Sequence, residues 1–149
     1  MTSSASPTPS SVLVDVPVAA RQHSEAGAEA FVRFYIDQLN VAWTVPARGE
    51  LEALSDPACL SCASLVGTAR ELVAMNRRYA ANPVSVTTVA AFGGAPAGQQ
   101  LVRLMMEQHA VSVIDSGGHV VSSDERKSVT RTVLLRWRAG AWRVYGIAG

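Results

Sequence analysis

Cysteine is nearly absent: the chain has two in 149 residues, and both lie in Asp56-Pro57-Ala58-Cys59-Leu60-Ser61-Cys62. Such a pair can be a redox couple, half of a metal site or a structural disulfide, and only the disulfide needs no further residues. Long apolar runs are missing too. None approaches the roughly 18 residues that carry a helix across a bilayer, which excludes a helical membrane span in the sequence as written. The chain opens with neither a basic segment nor an apolar stretch, so the sequence as given shows no secretory signal, although such a signal is removed on export.

What is present suits one folded domain. The apolar fraction is 48% and the charged fraction 17%. A chain of this length buries roughly two-thirds of its unfolded surface, so neither a metal nor a cofactor is needed for folding. The net charge of +1 hides an asymmetry, since Arg126, Lys127, Arg131, Arg136, Arg138 and Arg143 are followed or separated by no acidic residue up to Gly149. That stripe lacks interleaved aromatics and any groove-reading module, so nucleic acid is not an expected partner.

Residues 1–19 read as a flexible Ser/Thr/Pro-rich tether and extended lead-in, and residues 20–149 as a single α+β domain. In the domain, Ser24 is placed to cap a first helix whose apolar series is Ala28, Phe31, Val32, Tyr35, Ile36, Leu39 and Ala42. Glu29, Arg33, Asp37 and Asn40 form its expected wet face. A short turn over 49–54 follows. Asp56 is then expected to cap a helix with Pro57 at its first position, both cysteines in its first turn and its end near Ala81.

From Pro83 the period becomes alternating. Strands are expected over 84–89, over 100–114 as one long strand, over 127–138, and from Trp142 to Ile147 after an Ala139-Gly140 turn. A two-residue turn there sets Trp137 opposite Trp142 and Leu135 opposite Val144. Helices first and strands after predict N-terminal helices packed in a curved four-stranded antiparallel sheet.

Three segments carry a resemblance: Gly27-Ala28-Glu29-Ala30-Phe31-Val32-Arg33-Phe34-Tyr35, the cysteine segment from Leu54 to Cys62, and Gly140-Ala141-Trp142-Arg143-Val144. Together they resemble an uncharacterised family of actinobacterial lipoproteins with a cystatin-like fold, of the nuclear transport factor two and SnoaL-like kind. The resemblance covers about residues 20 to 149. It implies a cone of helices in a curved sheet and an extracytoplasmic, membrane-anchored address, with Met1 standing where a lipidated cysteine would be. It implies no reaction, because that superfamily includes isomerases, dehydratases and pure binding modules.

Several residues are candidate sites. Cys59 and Cys62, one helical turn apart, are read as a structural disulfide; a redox pair and a zinc site completed by His23, His109 or His119 are the alternatives. A pocket is expected from Tyr35, Met105, Glu107, His109, Trp137 and Trp142. It would hold a small hydrophobic ligand or, if Glu107 and His109 meet Tyr35, support SnoaL-like acid/base chemistry. Arg136, Arg138 and Arg143 are expected close together, far from carboxylates, as a contact for anionic surfaces. The expected partners are thus a small hydrophobic ligand or an envelope protein, a second copy docked through the sheet, and a membrane reached only through a lipid anchor. The role expected is a non-enzymatic envelope binding module, with a small-molecule enzyme as its alternative.

Overall fold

Helix α1 (Glu25–Thr44) forms because Ser24 caps it, its hydroxyl accepting from the Gly27 N–H at 3.0 Å, and because its apolar stripe meets the sheet. A computed structural model describes residues 15–48 and 50–149; the Ser/Thr/Pro-rich part of the expected tether lies outside them. Ahead of α1, Val18–Arg21 makes a 3-10 turn that buries Ala20, and Val16 packs against the core. After α1 come a 3-10 turn at Pro46–Arg48, the single turn α2 (Leu51–Leu54) and α3 (Leu60–Ala74).

Seven strands follow: β1 (Arg77–Tyr79), β2 (Val84–Phe92), β3 (Gln99–Gln108), β4 (Ser112–Asp115), β5 (Val120–Ser123), β6 (Lys127–Arg138) and β7 (Ala141–Ala148). Four of them make the expected antiparallel sheet in the order β2-β3-β6-β7, and β1, β4 and β5 make a second, three-stranded one. The β6–β7 register sets Trp137 opposite Trp142 and Leu135 opposite Val144, as the two-residue turn requires. Ala139 (φ 53) and Gly140 (φ 80) both take the positive φ of that turn type.

The larger sheet is apolar on the face toward the helices. Val102 and Leu104 of β3, Val133 and Leu135 of β6, and Trp142 and Val144 of β7 are buried there under Phe31, Val32, Tyr35 and Leu39 of α1. Bulges interrupt the register at Val86/Thr88 and Leu134/Leu135, where the strands bend.

Four local expectations are corrected. Asn40 and Glu29 are not on a wet face. Asn40 is buried, its Nδ2 donating to the Val84 carbonyl at 3.0 Å and its Oδ1 accepting from the Val84 N–H at 3.2 Å, while Glu29 Oε2 accepts from the Ala91 N–H at 2.8 Å. α1 thus satisfies the free edge of β2 with its own polar side chains. Helix α3 starts at Leu60 with Cys59 as its cap, because Asp56 turns its carboxylate to the Ala58 N–H and closes a separate turn. It ends at Ala74 rather than near Ala81, since Asn76 takes a φ of 55° and Arg77–Tyr79 pairs with β4; Val73 and Met75 are consequently exposed.

The long strand expected over 100–114 is broken at His109-Ala110-Val111, where the chain leaves the larger sheet for the smaller. The smaller sheet has its own core of Leu72, Tyr79, Val111 and Val113, with Trp43 stacked on Tyr79 at 5.2 Å. The Tyr79 hydroxyl donates to Asp124 Oδ2 at 3.0 Å. Burial first, then that bond and the carboxylate charge, push the Tyr79 phenol up to about 12.

Two outcomes are expected. Asn40→Ala leaves both backbone groups of Val84 unpaired and lowers stability by about 2 to 3 kcal/mol in urea unfolding, whereas a loss below about 0.5 kcal/mol would show that the edge is held by other means. The raised Tyr79 phenol keeps its proton in the folded chain while the unfolded chain loses it from pH 10 upward. Stability contributed by the neutral phenol is therefore complete below pH 10 and falls by up to about 2 kcal/mol as pH rises toward 12, and Tyr79→Phe should flatten that part of the profile.

Candidate functional site

The residues expected to share a pocket lie on two sides of the sheet. Tyr35 is buried on the helix side, within hydrogen-bonding distance of Ser55 Oγ at 3.0 Å; because Ser55 donates to the Leu51 carbonyl, the phenol is the donor. Burial outweighs that contact and raises the Tyr35 phenol above its ordinary value, so it is neutral at physiological pH.

Met105 and Glu107 alternate with the buried Leu104 and therefore point away from the helices. Glu107 accepts from Ser128 at 2.6 Å and from Arg126 at 2.8 Å, and these partners hold its carboxyl below the usual range. His109, just past the end of β3, meets Ser85 Oγ at 2.6 Å. Trp137 stacks on His23 at 4.3 Å and meets Trp142 edge-on at 5.0 Å, at the far end of β6. The structure brings Glu107 near His109 and Trp137 near Trp142; both tryptophans share the helix-side core with Tyr35, whereas Glu107 points away from it. Glu107 is engaged by Ser128 and Arg126 and does not meet Tyr35.

Cys59 and Cys62 form a disulfide across the start of α3, with Cα atoms 5.2 Å apart and both residues buried. Cys59 Sγ also accepts from the Cys62 N–H at 3.1 Å. The adjoining segment runs along the margin of β7: Ser55 bridges Val144 in parallel, the Asp56 N–H donates to the Val144 carbonyl at 2.7 Å, and Ser61 Oγ donates to the Ile147 carbonyl at 2.8 Å. The cysteines therefore pin a helix start against a sheet edge. Among the described residues, no group of His, Cys, Asp and Glu is arranged to hold a metal.

The same segment corrects the expectation for the basic hairpin. Arg136 and Arg143 are cross-strand partners on one face, as expected. Arg136 and Arg138 are not far from carboxylates, because Asp56, buried at 6% exposure, sits 3.5 Å from Arg136 Nη1 and 3.7 Å from Arg138 Nη1. Arg136 also lies 3.6 Å above the Tyr145 ring, and Arg143 donates to the Ala53 carbonyl.

These contacts frame an open groove of about 640 Å³ that sequence reasoning missed. Its floor is Phe31, Leu54 and Trp142, with Val16 and Ala20 beside them; one wall is Ala53, Ser55 and Pro57, and the tip of the β6–β7 hairpin closes one end. Phe31, Leu54 and Trp142 are each no more than 3% exposed, so they turn only their edges to it. The Trp142 indole N–H is already spent on the Gln22 carbonyl at 2.9 Å. Arg21, Arg143, Asp15 and Glu52 line it, and Glu52 is paired with Arg70 at 2.7 Å. Of the expected site residues, Trp142 and Arg143 belong to this groove. Nothing local in the sequence joins residues 15–21, 52–57 and 140–143, so only the unpaired charge of Arg143 pointed here.

A family of unknown function, DUF6318, matches residues 9–148. The chain belongs to this family. The match to DUF6318 takes in both cysteines and every residue lining the groove. Among curated proteins, no sequence matches this chain. Solved structures agree on the fold. The intermembrane space region of the chloroplast protein ARC6 is similar at a TM-score of 0.64 and 14% identity, covering 85% of this chain and 96% of that one. An uncharacterised protein with a cystatin-like fold from Caulobacter vibrioides is similar at 0.50 and 17%, covering 78% and 83%. At these identities the likeness concerns architecture alone.

The disulfide makes a direct prediction. Unfolded in denaturant without reductant, protein made in an oxidising compartment should release no thiol to a thiol-reactive dye, and two titratable thiols would contradict the bond. Because the ring is so short, Cys59→Ser with Cys62→Ser should lower stability by no more than about 2 kcal/mol.

Proposed function

We propose that this chain is a non-enzymatic binding module of the cell envelope that holds a small hydrophobic molecule in the groove beneath the β6–β7 hairpin. The observation that carries this reading is the groove itself: about 640 Å³, within the range of ligand sites, with an apolar floor and polar groups at its rim. The separation of Tyr35 from Glu107 and His109, with a neutral phenol on one side and a firmly ionised carboxylate on the other, gives the enzymatic reading no comparable support.

An envelope address is favoured by the disulfide, since such bonds persist in oxidising compartments. The Ser/Thr/Pro-rich sequence of the first residues suits a spacer between a lipid anchor and the domain. A lipoprotein of an actinobacterial envelope is the form of this proposal that the resemblance suggests. For a protein partner, the sheet face away from the helices is the favoured surface. Phe92, Leu101 and Leu134 form one cross-strand row there, half-buried, and Met105 is 41% exposed. A second copy would cover that row.

Saturable binding of the neutral dye Nile red, one per chain, is the expected result in fluorescence titration. Ala141→Trp, which fills the hairpin end of the groove, should abolish it without lowering the melting temperature by more than about 3 °C. Absence of saturable binding, or binding unaffected by Ala141→Trp, would overturn the groove as the site.

A further inference from the structure

The groove has a charge preference that its shape alone does not reveal. Its ionisable lining consists of Arg21 and Arg143 on the positive side and Asp15 and Glu52 on the negative. Glu52 is already committed to Arg70 at 2.7 Å, which leaves two guanidinium groups against the single carboxylate of Asp15. Beyond the wall the balance has the same sign, because Arg136 and Arg138 share only Asp56. Arg143 is half-buried beside Trp142 and spends a donor on the Ala53 carbonyl, but a guanidinium has five, and no carboxylate among the described residues pairs with it.

The floor adds the second half of the argument. Phe31, Leu54 and Trp142 offer a narrow apolar strip, so among molecules that can lie along it the polar end decides which binds best. An excess of one positive charge beside a narrow apolar floor suits a monoanion with an unbranched apolar tail. A carboxylate matches the planar fork of arginine with two parallel hydrogen bonds, strengthened where the groove wall excludes water.

We infer that the groove selects a carboxylate-headed, single-chain amphiphile, its head held by Arg143 and Arg21 and its tail laid along Phe31, Leu54 and Trp142. This inference rests on the groove being the binding site, and the test separates the two. With Nile red bound, decanoate, 1-decanol and decyltrimethylammonium are compared as displacing agents at low ionic strength. Decanoate should displace the dye at a concentration about tenfold lower than 1-decanol, with decyltrimethylammonium weakest of the three.

Arg21→Gln, at an exposed position, should reduce the advantage of decanoate over decanol to about threefold with no change in melting temperature, and Arg143→Gln should remove it. Arg143→Lys, which keeps the charge but not the fork, should retain part of it. Equal displacement by decanoate and decanol, or preference for the cation, would overturn the inference while leaving the groove as the dye site. Failure of Nile red to bind at all would overturn the groove reading and this inference with it.

Discussion

An open antiparallel sheet leaves a row of unpaired backbone groups along each margin, and in this chain the rest of the fold is arranged around closing those two rows. A free edge invites pairing with another chain and leaves N–H and C=O groups without partners where the core comes near. On the β2 side the closure is made by side chains of α1: Asn40 takes both groups of Val84, and Glu29 takes the N–H of Ala91. On the β7 side it is made by backbone and a hydroxyl, with Asp56 on Val144 and Ser61 on Ile147. The helices are therefore tied to the edges of the sheet as well as packed on its face.

The disulfide takes its meaning from the second closure. Cys59 and Cys62 lie between Asp56 and the body of α3, so the bond fixes the segment that hydrogen-bonds β7. A four-residue ring constrains the unfolded chain only slightly, about 2 kcal/mol at most, so its effect is mainly on position. What it positions is Ser55, Pro57 and the buried Asp56, the last of which orders Arg136 and Arg138. One short segment thus covers an edge, neutralises part of a basic hairpin and forms a wall of the groove.

The parts of this arrangement legible in the sequence are those set by local pattern. Helix α1 is announced by Ser24 and its apolar series, and the final hairpin by the alternation that ends at Ala139-Gly140, so the opposition of Trp137 and Trp142 could be stated in advance. Periodicity says which side a residue faces but not what it meets there. Asn40 reads as a solvent-facing amide because amides usually are, and its partner lies 44 residues away at Val84. The break after β3 is silent for a related reason: His109-Ala110-Val111 contains no turn residue, and the alternation carries on into β4 although the chain has changed sheets. Asp56 looked like the cap of α3 because Asp-Pro so often opens a helix, yet its carboxylate has a nearer donor in Ala58 and two guanidiniums 80 and 82 positions on.

The groove was the least legible feature because it belongs to no single element. It exists where the chain entering the domain, the turn before α3 and the last hairpin converge, and the periodicity of each says nothing of the other two. Trp142 shows the dependence most clearly. Its ring is core for the β6–β7 hairpin, its N–H anchors Gln22 of the entering segment, and its edge is the groove floor. Arg143, next in the chain, faces the opposite way and is drawn to the Ala53 carbonyl, so one strand supplies both the apolar floor and the charged rim. Alternation along β7 sends these two consecutive residues to opposite faces, and the Ala53 contact brings the guanidinium back beside the apolar floor.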